Sequence, residues 1–401
     1  MLYLLFNHYR DALDRAGLAA LVRLFVNYIE FRAIFSTLLS FAIVIRLGPG
    51  VIRWLTAKKV GDNPEFYNQK LNQLTSDKKN VPTMGGILIV GSILACIFLL
   101  ADLTNFYIIM AVICTLWLGA MGAADDWLKL TSARRQPGSR EGLFFHEKLL
   151  LQLGLAVVLG LFIHHHGSTK LDLALDTLHF NKMSHALTLP FMKTWQRAGE
   201  VWMPADHLIV LSAWQFVLLS ILVIAGSSNA VNLTDGMDGL ASGIMSIVAF
   251  AFLILALIAG YSEWSRYLLV PYIPLSDELA IVAGAMLGAC IGFLWFNCHP
   301  AQVFMGDTGS LALGGLIGYI AVVIRQEFLL LIIGGIFVAE ALSVMIQVFY
   351  FKSTGGKRIF RCAPLHHHFH LGGWTENKVV IRFWIISIIL AALALATIKL
   401  R

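Results

Sequence analysis

Ten stretches of nearly unbroken apolar sequence limit what this chain can fold into. They cover 31–47, 84–100, 106–124, 149–164, 209–230, 240–259, 279–297, 311–324, 328–351 and 383–399. An apolar helix of about 20 residues crosses the hydrocarbon core of a bilayer, and it satisfies its own backbone polar groups while doing so. The expected fold class is therefore all-α: a polytopic integral membrane protein of about ten transmembrane helices. Residues 1–401 read as a single transmembrane domain. Composition points the same way, because only 13% of the 401 residues are charged, about half the share found in a soluble domain.

The loops between these stretches fall into two sets. Loops 48–83, 125–148, 231–239, 298–310 and 352–382 together hold 17 Lys and Arg, against 6 in 101–105, 165–208, 260–278 and 325–327. Basic loops stay on the cytoplasmic side, so the first set is expected inside and both termini outside. The net charge of +6 is spread over those inside loops and is a topology signal rather than a nucleic-acid footprint. Cys96, Cys114 and Cys290 lie in spans, while Cys298 and Cys362 lie in inside loops, where thiols stay reduced. Residues 1–30 carry Arg10, Asp11, Asp14, Arg15, Arg23 and Glu30. They are expected to form an amphipathic outer segment rather than a cleavable signal peptide.

The unusual polar patterning is concentrated in the inside loops. Val81-Pro-Thr-Met-Gly-Gly86 opens the second span; it is either a helix start, with Thr83 as a cap, or a ligand contact. Asp125 and Asp126 end the third span, where two carboxylates face the negative helix end and repel each other. A metal ion, Lys129 or a cation from another loop must compensate, unless the pair is simply a solvated helix end. The turn from Asn229 to Leu240 packs Asn229, Asn232, Asp235 and Asp238 among glycines. One cap for the next helix does not account for four such side chains, and the spacing is not that of an EF-hand. A ligand rich in hydrogen-bonding groups, such as a nucleotide, suits it.

The loop from Asn297 to Ser310 brings Asp307, Thr308 and flanking glycines to the eighth span. There the backbone can approach a phosphate or hydrated Mg²⁺. Finally, His366, His367, His368 and His370 follow a basic run. Adjacent histidines without a Cys or H-x-x-x-H partner make zinc a poor fit, so phosphate contact or proton transfer is expected. The second run, His164 to His166, reads as interfacial. Five acids, histidines and lysines on one membrane face fit metal-assisted phosphoryl transfer, and no G-x-x-x-x-G-K-[ST] loop is present.

In this order the segments resemble the polyprenyl-phosphate N-acetylhexosamine-1-phosphate transferase superfamily. Within it they resemble the phospho-N-acetylmuramoyl-pentapeptide transferase (MraY) family. The resemblance runs from about residue 31 to the C-terminus. It is carried by PTMGG, DDWLK, NAVNLTDGMDGL, FLWFNCHPAQVFMGDTGSLALGG, RQEF, APLHHHF and RFWIISI. The LHHHF element separates this branch from relatives acting on UDP-N-acetylglucosamine.

The resemblance implies transfer of phospho-MurNAc-pentapeptide from UDP-MurNAc-pentapeptide to undecaprenyl phosphate, giving lipid I and UMP. It also implies Mg²⁺, a multi-pass place in the bacterial plasma membrane with a cytoplasmic active site, and a homodimer. By the same resemblance Asp307 is the Mg²⁺ ligand, and Asp125 with Asp126 is the base or orienter. Asn232, Asp235, Gly236, Asp238 and Phe304 line the uridine-sugar pocket, and Asn229 and Thr83 are further substrate-binding candidates from the motifs above. Lys148 and His366 to His368 face the phosphates, and Lys78 or Lys79 aligns with a nucleotide-side lysine. Two positions depart from the family: His370 stands where an acid usually follows the His run, and Leu371-Gly372-Gly373 replaces the usual Leu-Lys-Gly. Two other readings remain, a UDP-GlcNAc transferase and a secondary transporter. The acids sit at loop ends and no two-fold repeat is visible, both of which weigh against transport.

Overall fold

Close helix crossings, made possible by small residues, set the architecture. The computed structural model describes residues 1–58, 78, 81–135, 142–168, 182–199 and 201–400. Lys79 lies outside the described residues. The main helices are α1 (Ile29–Ala57), α2 (Gly86–Leu100), α3 (Phe106–Arg135), α4 (Phe145–Ser168), α5 (Ala213–Thr234), α6 (Leu240–Gly260), α7 (Leu279–Asn297), α8 (Gly306–Val323), α9 (Glu327–Ile333), α10 (Gly335–Ser353), α11 (Leu365–Leu371) and α12 (Glu376–Lys399). Among the described residues, nine helices are long and apolar enough to cross a membrane, and α2 is a shorter apolar helix.

Each expected apolar stretch falls mainly on helix, with 209–230 entering through a short strand at Ile209–Val210 before α5 starts at Ala213 and two further differences. The stretch 328–351 is broken at Gly334 into α9 and α10, as a residue of low helix propensity allows. α3 continues to Arg135 instead of ending near 124. The all-α expectation also needs amending, because the segment between α4 and α5 forms two antiparallel strand pairs. β1 (Ala186–Leu187) pairs with β4 (Ile209–Val210), and β2 (Trp195–Ala198) pairs with β3 (Val201–Pro204) in register Trp195↔Pro204.

With lipid on the outside there is little hydrophobic drive between helices, so backbones approach through small residues. α7 lies on α1 in this way. A Cβ on Gly284 would stand 2.5 Å from Ala33 O, and one on Gly288 would stand 2.0 Å from Thr37 O. Ser36 and Ser40 of α1 then donate to Ile281 O and Ala285 O of α7, at 2.9 and 2.8 Å. α8 is the central helix, buried from Asp307 to Val323, and it packs on α5, α3 and α2.

Ion pairs tie down one end of the bundle. Buried Arg32 donates to Glu278 at 2.7 Å and to Leu100 O at 3.0 Å. Arg325 pairs with Glu327 at 2.8 Å and donates to Ala186 O at 3.0 Å, joining the α8–α9 turn to β1. The segment before α1 folds as short helices over Leu2–His8, Arg10–Arg15 and Ala19–Val22. It docks through Tyr3, whose ring lies under the Arg32 guanidinium at 4.3 Å, and through the amino terminus on Phe98 O.

Candidate active site

The site begins where α8 starts. Gly306 takes a left-handed φ of +72, and a Cβ there would stand 2.7 Å from Asp126 Oδ2, so glycine is needed on both counts. The preceding residues are held by the PTMGG segment. Gly85 N donates to Phe304 O, Gly86 N to Met305 O and Phe304 N to Pro82 O, each at 2.8 Å. That segment is thus a backbone clamp on the loop carrying Asp307, and Thr83 sits beside Gly306 within it.

Asp126 belongs to the same framework. Its carboxylate accepts from Asp307 N at 3.1 Å, Thr308 N at 3.0 Å and Thr308 Oγ1 at 2.7 Å. It therefore caps α8, placing a negative charge at the positive end of a helix. This corrects the dipole argument made from sequence. Because α3 runs on past Asp126, the acids do not sit at its negative end, and the dipole that Asp126 meets is the favourable one of α8.

Asp125 and Asp307 meet around two shared lysines. Lys148 Nζ bridges Asp125 Oδ2 at 2.6 Å and Asp307 Oδ2 at 2.7 Å. Lys129 Nζ lies 2.7 Å from Asp125 Oδ2 and 3.1 Å from Asp307 Oδ2. Asp125 Oδ1 accepts from Leu143 N at 2.7 Å, and Asp307 Oδ1 accepts from Asn232 Nδ2 at 2.9 Å. Two lysines thus balance two carboxylates in a buried setting, where unpaired charges would cost several kcal/mol each.

Oxygen atoms of Asp125, Asp126 and Asp307 lie within 4.8 Å of one another. Asp126 is committed to α8, which leaves Asp125 and Asp307 as available ligands. An all-oxygen set with few carboxylates, completed by water and phosphate oxygens, fits Mg²⁺.

A second cluster lies on the 235–238 turn. Asp238 takes Lys78 Nζ at 2.6 Å, His299 Nδ1 at 2.9 Å and Ala301 N at 3.2 Å. Glu376 of α12 shares Lys78 at 2.5 Å and accepts from Asp238 N at 2.8 Å. The Lys78 ammonium lies 5.9 Å from the centre of the Phe304 ring. Lys78, Asp238 and Phe304 are therefore neighbours.

Asp235, on the same turn, has its carboxyl pushed up to about 7, by burial first and then by the charges of Asp307 and Asp126. A raised carboxyl opposes folding as pH rises. The penalty is absent below its ordinary 3.8, grows towards about 7 and is complete above that. Asp235→Asn is therefore expected to raise the unfolding temperature of the metal-free protein at pH 8 but not at pH 4. Equal changes at both pH values in thermal unfolding would contradict this origin.

The histidines separate into different roles. His366 is fully buried, and its ring meets Gly236, where a Cβ would stand 2.4 Å from Nε2. His367 is pushed down to about 2, by burial first and then by His366, His370 and Lys78. It is neutral at physiological pH, so any phosphate contact it makes is that of an uncharged ring. His368 Nδ1 receives Arg361 N at 3.1 Å and so serves its own loop. His370, the departure from the family pattern, bonds Trp374 O through Nδ1 at 2.9 Å. None of these rings enters either acidic cluster found among the described residues. Asn229 is also turned aside: it donates to Gln152 Oε1 at 2.7 Å and to Ala225 O at 2.8 Å.

Three participants were not read from the sequence as site residues: Glu340, Glu376 and His299. Glu340 carried the one available signal, an acid inside an apolar stretch.

Membrane-length helices thus surround a buried acid–lysine centre. Residues 108–325 match the family model described as glycosyl transferase family 4. The phospho-N-acetylmuramoyl-pentapeptide-transferase of Desulfotalea psychrophila is 45% identical over 380 residues, covering 94% of this chain and 95% of the relative. Proteins of the same name from Thermodesulfovibrio yellowstonii and Koribacter versatilis are 44% and 42% identical, each across 94% of this chain and 95% and 94% of their own length. The chain belongs to the phospho-N-acetylmuramoyl-pentapeptide transferase family.

Proposed function

We propose that this protein transfers phospho-MurNAc-pentapeptide from UDP-MurNAc-pentapeptide to undecaprenyl phosphate, releasing UMP and forming lipid I. The observation that carries this reading is the Asp125–Lys148–Asp307 bridge beside the 235–238 turn. Lysines there can bind the donor diphosphate, while the turn with Lys78, Asp238 and Phe304 takes the uridine side. Asn232 orients Asp307. Asp125 and Asp307 would hold Mg²⁺, which supplies charge neutralisation for the phosphates when bound.

The acceptor phosphate is already ionised and needs no strong base. Asp125 therefore orients it for in-line attack on the β-phosphate rather than forming a covalent intermediate. The acceptor's prenyl chain has an apolar groove of 420 Å³ to enter, lined by Ile336, Leu365, Phe369, Trp374, Phe383 and Ile386. That groove lies alongside α11, the helix that bears His366. The excess of Lys and Arg in one set of loops supports a cytoplasmic face of the bacterial plasma membrane for this chemistry, with ten crossings and both termini outside. The family resemblance supports a homodimer.

The test is UMP release by purified protein from UDP-MurNAc-pentapeptide and undecaprenyl phosphate, with and without Mg²⁺, and with UDP-GlcNAc run in parallel. Mg²⁺-dependent release from the muramoyl donor alone is the expected result. Release from UDP-GlcNAc would overturn the donor assignment. Silence from folded protein with both donors would return the chain to the transporter reading.

A further inference from the structure

Glu340 is a carboxylate on α10, a helix of membrane length, and it is completely buried. An ionisable group in such a place is expensive unless it has a partner and a task. Its partners both come from one residue on another helix. Oε1 accepts from His366 N at 3.1 Å, and Oε2 faces His366 Nδ1 at 3.1 Å. One carboxylate thereby fixes both the backbone and the ring of His366 at the first turn of α11.

The consequence falls on the other ring nitrogen. A hydrogen bond at one nitrogen of an imidazole decides what the other can do. With Nδ1 turned to Glu340, Nε2 is the atom left to act. Nε2 is buried and has no hydrogen-bond partner among the described residues. It points at the backbone of Gly236, where any Cβ would stand 2.4 Å away. The ring also packs against His367, with centroids 4.1 Å apart. A buried polar atom left unpaired is costly, and this one is aimed at the turn between Asp235 and Asp238.

Building on the transferase reading above, we propose that Glu340 is a positioning residue for the reaction. It holds His366 so that Nε2 is presented across Gly236 to the sugar-nucleotide donor. The arrangement has the logic of a carboxylate that orients a catalytic histidine without touching substrate. Here the carboxylate reaches its histidine from within the membrane-spanning bundle, and α10 and α11 are tied together by the same contact.

The test uses the full chain in detergent, with UMP release measured from UDP-MurNAc-pentapeptide and undecaprenyl phosphate. Wild type, Glu340→Gln, Glu340→Asp, His366→Gln and the Glu340→Gln/His366→Gln double variant are compared. Glu340→Gln is expected to lower kcat by about 10- to 100-fold, the usual loss when an orienting partner is removed, with donor KM changed less than about twofold. Glu340→Asp recovers part of kcat, and the double variant is no slower than His366→Gln alone. Wild-type kcat in Glu340→Gln, or single losses that multiply in the double variant, would overturn the proposal. If thermal unfolding shows Glu340→Gln to be unfolded, Glu340→Asp replaces it in the same cycle, and multiplying losses again overturn the proposal. An inactive wild type would instead overturn the transferase reading, and this proposal with it.

Discussion

Asp307→Asn is expected to lower kcat for UMP release by at least about 10³-fold, near 4 kcal/mol of transition-state stabilisation, while the protein still folds. The asymmetry follows from what each oxygen does. Oδ1 accepts from Asn232, which an amide oxygen can still do, so the first turn of α8 keeps its shape. Oδ2 faces both Lys148 and Lys129, at 2.7 and 3.1 Å. An amide in its place leaves two ammonium groups sharing Asp125 alone and removes one of the two carboxylates free to hold a cation. Steady-state kinetics at saturating Mg²⁺, with circular dichroism to check the fold, measure the effect. An Asn variant within tenfold of wild type would remove Asp307 from the centre of the mechanism. Asp126→Asn should instead act through α8, because that carboxylate is engaged with Asp307 N, Thr308 N and the Thr308 hydroxyl.

The contrast between these neighbouring acids shows where sequence reading stops. Both were legible as a pair in DDWLK, and so was the need for compensating positive charge. Which acid meets the lysines and which caps a helix depends on α8, which begins some 180 residues further along the chain. No local periodicity carries that information. The α3 boundary was misread for a related reason. Hydropathy falls once Asp125, Asp126 and Lys129 enter the sequence, yet the backbone stays helical because those charges meet partners on α4 and α8. Glu340 was passed over because it interrupts an apolar stretch only once, and its partner His366 arrives 26 residues later on a different helix. The apolar stretches themselves were readable, since the bilayer imposes length and composition on each helix separately.

The glycines between those helices had no visible role in the sequence, and Gly122 gives the sharper test of packing. Gly122→Ala is expected to lower both stability and kcat, against the direction that helix propensity favours. On an open helix face, replacing Gly with Ala adds about 1 kcal/mol of stability. Gly122 is not on an open face: a Cβ there would stand 2.2 Å from Asp307 O and 2.7 Å from Thr308 Cα. Those are backbone atoms and cannot swing aside as a flexible side chain would. α3 and α8 must therefore separate by more than about 1 Å, and overpacking of this kind costs about 1–3 kcal/mol, enough to outweigh the propensity gain. The separation opens beside Asp307, one helical turn from Asp126, so it pulls the α8 cap from its carboxylate and shifts Asp307 relative to Asp125. A displacement of about 1 Å at reacting groups costs about 10²-fold in rate. Gly226→Ala on α5 is the control, since nothing lies within 4 Å of its Cβ position, and it should leave kcat unchanged. Thermal unfolding and UMP release on both variants decide the matter. If Gly122→Ala matched Gly226→Ala in both measurements, the α3–α8 crossing would not be what positions Asp307.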